Sequence, residues 1–253
     1  MPLEQFLPAN LFAAFLIFAR IGAAMMLLPG FGEAYVLQRY RLLLALLIAA
    51  LLTPVLGPSL PPLPASPARL VVMVGGEVMV GVFIGTVARM MVAALETAGM
   101  VVSLQLSLSA AVMFNPMADG QSPLPAALYS MLGVVLIFVT DLHHLLLRAA
   151  VDSYVLFHPG ALLPVGDLSN TIAHVAAGSF RLGIEMAAPF IVLGIVFFCA
   201  LGIVARLVPQ LQVLFIAQPL QIMGGLFLFA AVLVSGMRWF LEAFAQQMSF
   251  FSG

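Results

Sequence analysis

Residues 70–113 run without a proline, and their only charged side chains are Glu77, Arg89 and Glu96. As a single helix rising 1.5 Å per residue, this stretch would reach about 66 Å, roughly twice the hydrocarbon thickness of a bilayer. A segment that long must bend back on itself or extend well outside the membrane. Gly75, Gly76, Gly81, Gly85 and Gly99 offer places to bend or to pack closely.

The rest of the chain has the same character. Hydrophobic residues make up 64% of it and charged residues 8%, against about 45–50% and about 25% in soluble domains. A water-soluble fold could not cover its surface with so few charges, so the expected fold class is an all-α membrane protein. Further apolar runs cover residues 11–28, 42–56, 126–146, 171–204 and 213–241, which makes about six apolar helical regions. Breaks fall at residues 29–41, at the proline-rich 57–67 and at 158–170, where Asn170 is a plausible N-cap for the next helix. The 126–146 run reads as a clean span. The opening "MPLEQFLPAN" carries Glu4 and no basic residue. It lacks the positive start of a cleaved signal, so the first run is expected to stay in the mature protein.

Composition also excludes functions. A net charge of -1 and the absence of lysine provide no electrostatic footprint for nucleic acid. Cys199 stands alone and reports nothing about redox compartment. For six alternating spans, Arg69, Arg148 and Arg238 fall on one side and Arg39, Arg41 and Arg206 on the other. Arginine counting therefore gives no orientation, and six plain spans is a doubtful picture.

Charges inside apolar segments are functional-site candidates because they are costly in lipid. Arg181 and Glu185 lie four apart, as do Arg148 and Asp152; Arg89 and Glu96 lie seven apart, as do Asp141 and Arg148. Each pair shares a helix face. They either neutralise one another and snorkel, or pair with other subunits or line a polar conduit. Arg20 and Glu77 lack an obvious local partner and are the better functional candidates. An ion or solute transporter could use Glu77, Glu96 and Asp141, but the inverted symmetry usual in such proteins is not evident. Enzyme patterns such as HExxH, CxxC and GxSxG do not occur, so no catalytic residue or cofactor is assigned. His143 and His144 are adjacent and are expected to point to different helix faces, a poor metal pair, so no metal is assigned. The abundant methionines suit irregular packing.

The segment "AVMFNPMADGQSPLP" (111–125) mixes turn formers with apolar bulk, unlike a simple exposed connector. "LPGFGE" (28–33), followed by "QRYRLLLALLIAALLTPVL" (38–56), resembles the opening of the FliR family of flagellar biosynthesis proteins. "ETAGMVVSLQLSLSAAVMFNP" (96–116), "DLHHLLLRAAVDSY" (141–154) and "ARLVPQLQVLFIAQPLQIMGGL" (205–226) resemble its later blocks, in the same order.

That resemblance implies a non-catalytic core subunit of the flagellar type III export gate in the bacterial inner membrane, at the flagellar basal body. One copy would join FliP-like and FliQ-like subunits, with a FlhB-like export switch protein nearby, and exported unfolded flagellar proteins would pass through. It implies helical hairpins in a FliP-plus-FliQ-like fusion, residues 1–160 being the FliP-like part and 161–253 the FliQ-like part. It also implies a loop that plugs the pore, mapping to Ser107, Ala110, Met113, Phe114, Asn115, Pro116 and Met117. The family often has an acidic residue where this chain has Asn115. Arg20, Glu77, Arg89, Glu96, Asp141, Arg148, Asp152, Arg181, Glu185 and Arg206 would supply inter-helix or inter-subunit polar contacts. The homologous subunit of a virulence secretion system is an alternative, as is a small ion or solute transporter.

Overall fold

The computed structural model describes residues 3–108, 123–161, 163–208, 212–249 and 251. Among them are seven α-helices and no strand: α1 (Leu3–Leu27), α2 (Gln38–Leu56), α3 (Pro67–Gln105), α4 (Leu124–Val139), α5 (Leu142–Leu156), α6 (Val165–Leu207) and α7 (Val213–Ser249). Helices are the expected outcome, because a continuous apolar run in lipid satisfies its backbone groups within the segment when it is helical. Five of them are long and apolar enough to cross a membrane, and the broken pair α4–α5 would make a sixth.

The long central region is one helix. α3 has 39 residues, about 58 Å of rise, so the length is not absorbed by a reversal within it. Gly81, Gly85 and Gly99 serve close packing. A Cβ on Gly81 would overlap the Arg20 carbonyl of α1, and one on Gly99 would overlap the Ala126 backbone of α4, whereas Gly75 has nothing within 4 Å. α6 solves its own length by zoning. Asp167, Arg181 and Glu185 lie in its first half, and residues 186–205 carry no charge. Those uncharged residues rise about 30 Å, the thickness of a hydrocarbon core.

Two boundaries depart from expectation. The run 126–146 is not one span: it breaks at Thr140–Asp141, and Asp141 adopts a left-handed φ of 60°. Polar residues at the break end α4 and begin α5. Asn170 is not an N-cap, because α6 starts at Val165, with Asp167 in its first turn facing the positive end of the helix dipole.

The chain divides into two compact units. The first comprises residues 1–90, 138–175 and 244–253. Its core packs Ile17, Ile21 and Met25 of α1 against Ala45 and Ala49 of α2 and Ala150 and Tyr154 of α5. The second comprises residues 91–137 and 176–243. There Tyr129 of α4 meets Phe229 of α7 edge-on at 5.0 Å, and Phe190 of α6 lies 6.1 Å from the same ring. Leu43, Leu47 and Leu51 of α2, and Val192, Val196 and Ile203 of α6, remain exposed. An apolar exterior of this kind suits lipid or neighbouring membrane subunits.

Candidate functional site: a buried arginine and the end of the long helix

Arg20 is the centre of the first unit's polar chemistry. Its Nε donates to Glu77 Oε2 at 2.7 Å and its Nη2 to Glu77 Oε1 at 3.1 Å, a two-pronged pair between α1 and α3. Nη1 donates to Ser153 Oγ at 3.1 Å, and Nη2 also reaches the Phe157 carbonyl at 2.9 Å. The guanidinium carbon sits 3.8 Å from the Tyr154 ring centroid. Arg20 is 1% exposed and Glu77 2%. A charge so deeply buried is tolerable only when paired and fully hydrogen-bonded. The planar fork of arginine meets that demand, since it can hold a carboxylate with two prongs while stacking on an aromatic face. A cavity of about 130 Å³ adjoins the pair, with Arg69 and His158 also on its wall.

A second polar knot forms at "LPGFGE". Arg41 Nη2 donates to the carbonyls of Glu33 and, at 2.8 Å, Val36, while Arg89 Nη1 donates to Glu33 Oε1 at 2.9 Å. Gly30 has a φ of 82°, and any Cβ there would run into the Phe138 ring. Phe138 in turn lies 5.4 Å from Phe31 and stacks on His143 at 4.9 Å. Turn chemistry and aromatic packing thus tie this connector to α3 and to the α4–α5 corner.

In the second unit, α3 ends at a capped, left-handed residue. Ser107 has a φ of 57°. Leu108 N–H donates to Ser103 O at 3.0 Å and Ser107 N–H to Leu104 O at 3.2 Å, the paired bonds of a Schellman cap. Gln221 of α7, 5% exposed, donates through Nε2 to the Gln105 carbonyl and accepts from Ser107 Oγ at 3.4 Å.

The sequence pattern of the family described as bacterial export proteins, family 1, matches residues 11–247. The chain belongs to that family. It is 41% identical to the flagellar biosynthetic protein FliR of Caulobacter vibrioides, over 87% of this chain and 88% of the relative. The FliR of Bacillus subtilis is 31% identical over 84% of this chain and 83% of its own. Yop proteins translocation protein T of Yersinia pestis is 26% identical over 60% of this chain and 59% of its own. The bacterial export protein described here therefore shares its family with FliR proteins over most of its length.

Only some of the remaining candidate residues of this family member make polar contacts among the described residues. Arg148 bonds Asp152 at 3.3 Å and Arg181 bonds Glu185 at 2.7 Å. Arg89 takes Glu33 as its partner, and Glu96 makes no ion pair among the described residues. Asp141 is exposed and 3.7 Å from His144 Nδ1. His143 and His144 do not diverge as expected: their ring centroids are 4.1 Å apart, and their ligand atoms and that of Asp141 lie within 4.8 Å of one another. Arg206 lies in the last turn of α6, at the negative end of the helix dipole. Ala110, Met113, Phe114, Asn115, Pro116 and Met117 lie outside the described residues. Sequence reasoning passed over Glu33, Ser153, Tyr154 and Gln221. Gln221 did carry a signal, as an uncharged polar side chain in an apolar run; a search for charges alone skips it.

Proposed function

We propose that this protein is a core subunit of the flagellar type III export gate. It assembles with FliP-like and FliQ-like subunits in the bacterial inner membrane at the base of the flagellum, with a FlhB-like switch protein alongside. Its first part, about residues 1–160, acts as the FliP-like portion, and about 161–253 as the FliQ-like portion. The loop from Ser107 through residue 122 obstructs the pore, and Met113, Phe114 and Met117 supply its apolar bulk. Unfolded flagellar proteins pass when that obstruction yields. No step in this reading needs a catalytic group or cofactor.

The observation that carries the proposal is the 41% identity to a flagellar biosynthetic FliR across 87% of the chain. The helical, charge-poor structure suits a membrane-embedded gate. The Yersinia relative supports a second reading, a virulence secretion gate, but over a smaller share of the chain. Deleting the gene separates them, since the flagellar reading requires loss of motility. The direct test is co-production with FliP-like and FliQ-like proteins. A complex containing all three is expected, and a single band without partners counts against the assignment. Within that complex, deletion of residues 110–120 is expected to make the membrane conduct small ions. An unchanged conductance would sink the plug.

A further inference from the structure

We infer that Gln221 is a positioning residue: it holds the C-terminal end of α3 and sets the direction in which the chain leaves that helix at Ser107. This rests on the reading above, in which the segment beginning at Ser107 obstructs the pore. The last four carbonyls of any helix lack partners within it. Gln105 is the final residue of α3, and the Gln221 amide group supplies a donor to its carbonyl while its oxygen takes the Ser107 hydroxyl. One side chain therefore spans the last helical residue and the left-handed residue that turns the chain. Glycine is the usual occupant of that left-handed position, because a Cβ makes it strained. Ser107 holds it with a Cβ, so the conformation needs support from its surroundings.

That support converges from two helices on three consecutive residues. Gly225 of α7 has no Cβ, and Leu106 packs where one would stand; Gly194 of α6 makes the same room for the Gln105 side chain. Leu106 is 1% exposed. Packing alone could be met by any apolar residue at 221. Only a side chain with both a donor and an acceptor satisfies the carbonyl and the hydroxyl together.

Gln221→Met keeps the length and removes both hydrogen bonds, so it is the variant to make in the co-produced complex. Amide hydrogen exchange at Leu106 and Leu108 is expected to quicken about tenfold, with conductance rising at unchanged yield of complex. Unaltered exchange overturns the positioning role whatever the loop does. Faster exchange without conductance, in a complex that leaks when residues 110–120 are deleted, overturns the link between Gln221 and the obstruction. If neither variant leaks, the plug reading falls, while faster exchange still upholds the hold of Gln221 on the end of α3. Should Gln221→Met fail to accumulate, Ser107→Ala decides by the same two readouts. It keeps the bond to Gln105, so about a threefold change is expected, and no change overturns the inference.

Discussion

Arg20 illustrates why a buried charge in an apolar helix is a costly but durable choice. Its donors go to two carboxylate oxygens, a hydroxyl and a carbonyl, and its flat face rests on Tyr154. Removing one partner leaves the other charged and unpaired, which typically costs about 3–5 kcal/mol, whereas replacing both with apolar groups can be nearly neutral. Arg20→Met and Glu77→Leu are each expected to lower the thermal unfolding midpoint in detergent sharply. The double variant should recover most of that loss. A double variant whose loss equals the sum of the two single losses would show that the two residues act independently. Arg20→Lys should also destabilise, since an ammonium cannot reproduce the two-pronged contact.

At the scale of helices, contact distance is set by glycines at particular positions. α3 carries several, and their roles differ by what lies opposite. Gly81 faces the backbone of α1 and Gly99 that of α4, so an added methyl group cannot be accommodated by a side-chain rotation. Gly75 faces open space. Gly99→Ala is therefore expected to reduce accumulation in membranes severalfold by forcing α3 and α4 apart. Gly75→Ala should be neutral or stabilising by up to about 1 kcal/mol, the helix-propensity difference. Equal accumulation of the two variants, measured by immunoblot of membrane fractions, would refute the packing role. The same logic separates glycines that permit a bend from glycines that permit an approach, and α3 remains helical through all of those at residues 75–99.

For the molecule as a whole, the decisive contrast is between a transporter and a part of a larger gate. A transporter would need Glu77 available to bind and release its ion. Instead both Glu77 oxygens are held by Arg20, and both side chains are buried. Purified alone and reconstituted in vesicles, the chain is expected to give no ion or solute flux above empty vesicles. A saturable flux abolished by Glu77→Gln would restore the transporter reading. Membership of the bacterial export family over residues 11–247 favours a part of an export apparatus over a transporter.

The class of fold was legible in the sequence, because continuous apolar runs of this length suit a helix, which satisfies its peptide groups within one segment, and lack the short alternating pattern of a closed barrel. The family was legible too, in blocks such as "LPGFGE" and "DLHHLLLRAAVDSY". Pairs four apart, Arg181–Glu185 and Arg148–Asp152, followed from helix periodicity alone. The partners of Arg20, however, come from residues 57 and 133 positions away, and no local spacing encodes them. The break at Asp141 falls at a left-handed residue and the early start of α6 places Asp167 in its first turn, neither of which hydropathy records. Gln221 is the clearest case. Its sequence context is only an apolar run, and its meaning appears when tertiary packing brings its amide to the end of α3, where unpaired helix carbonyls need a donor.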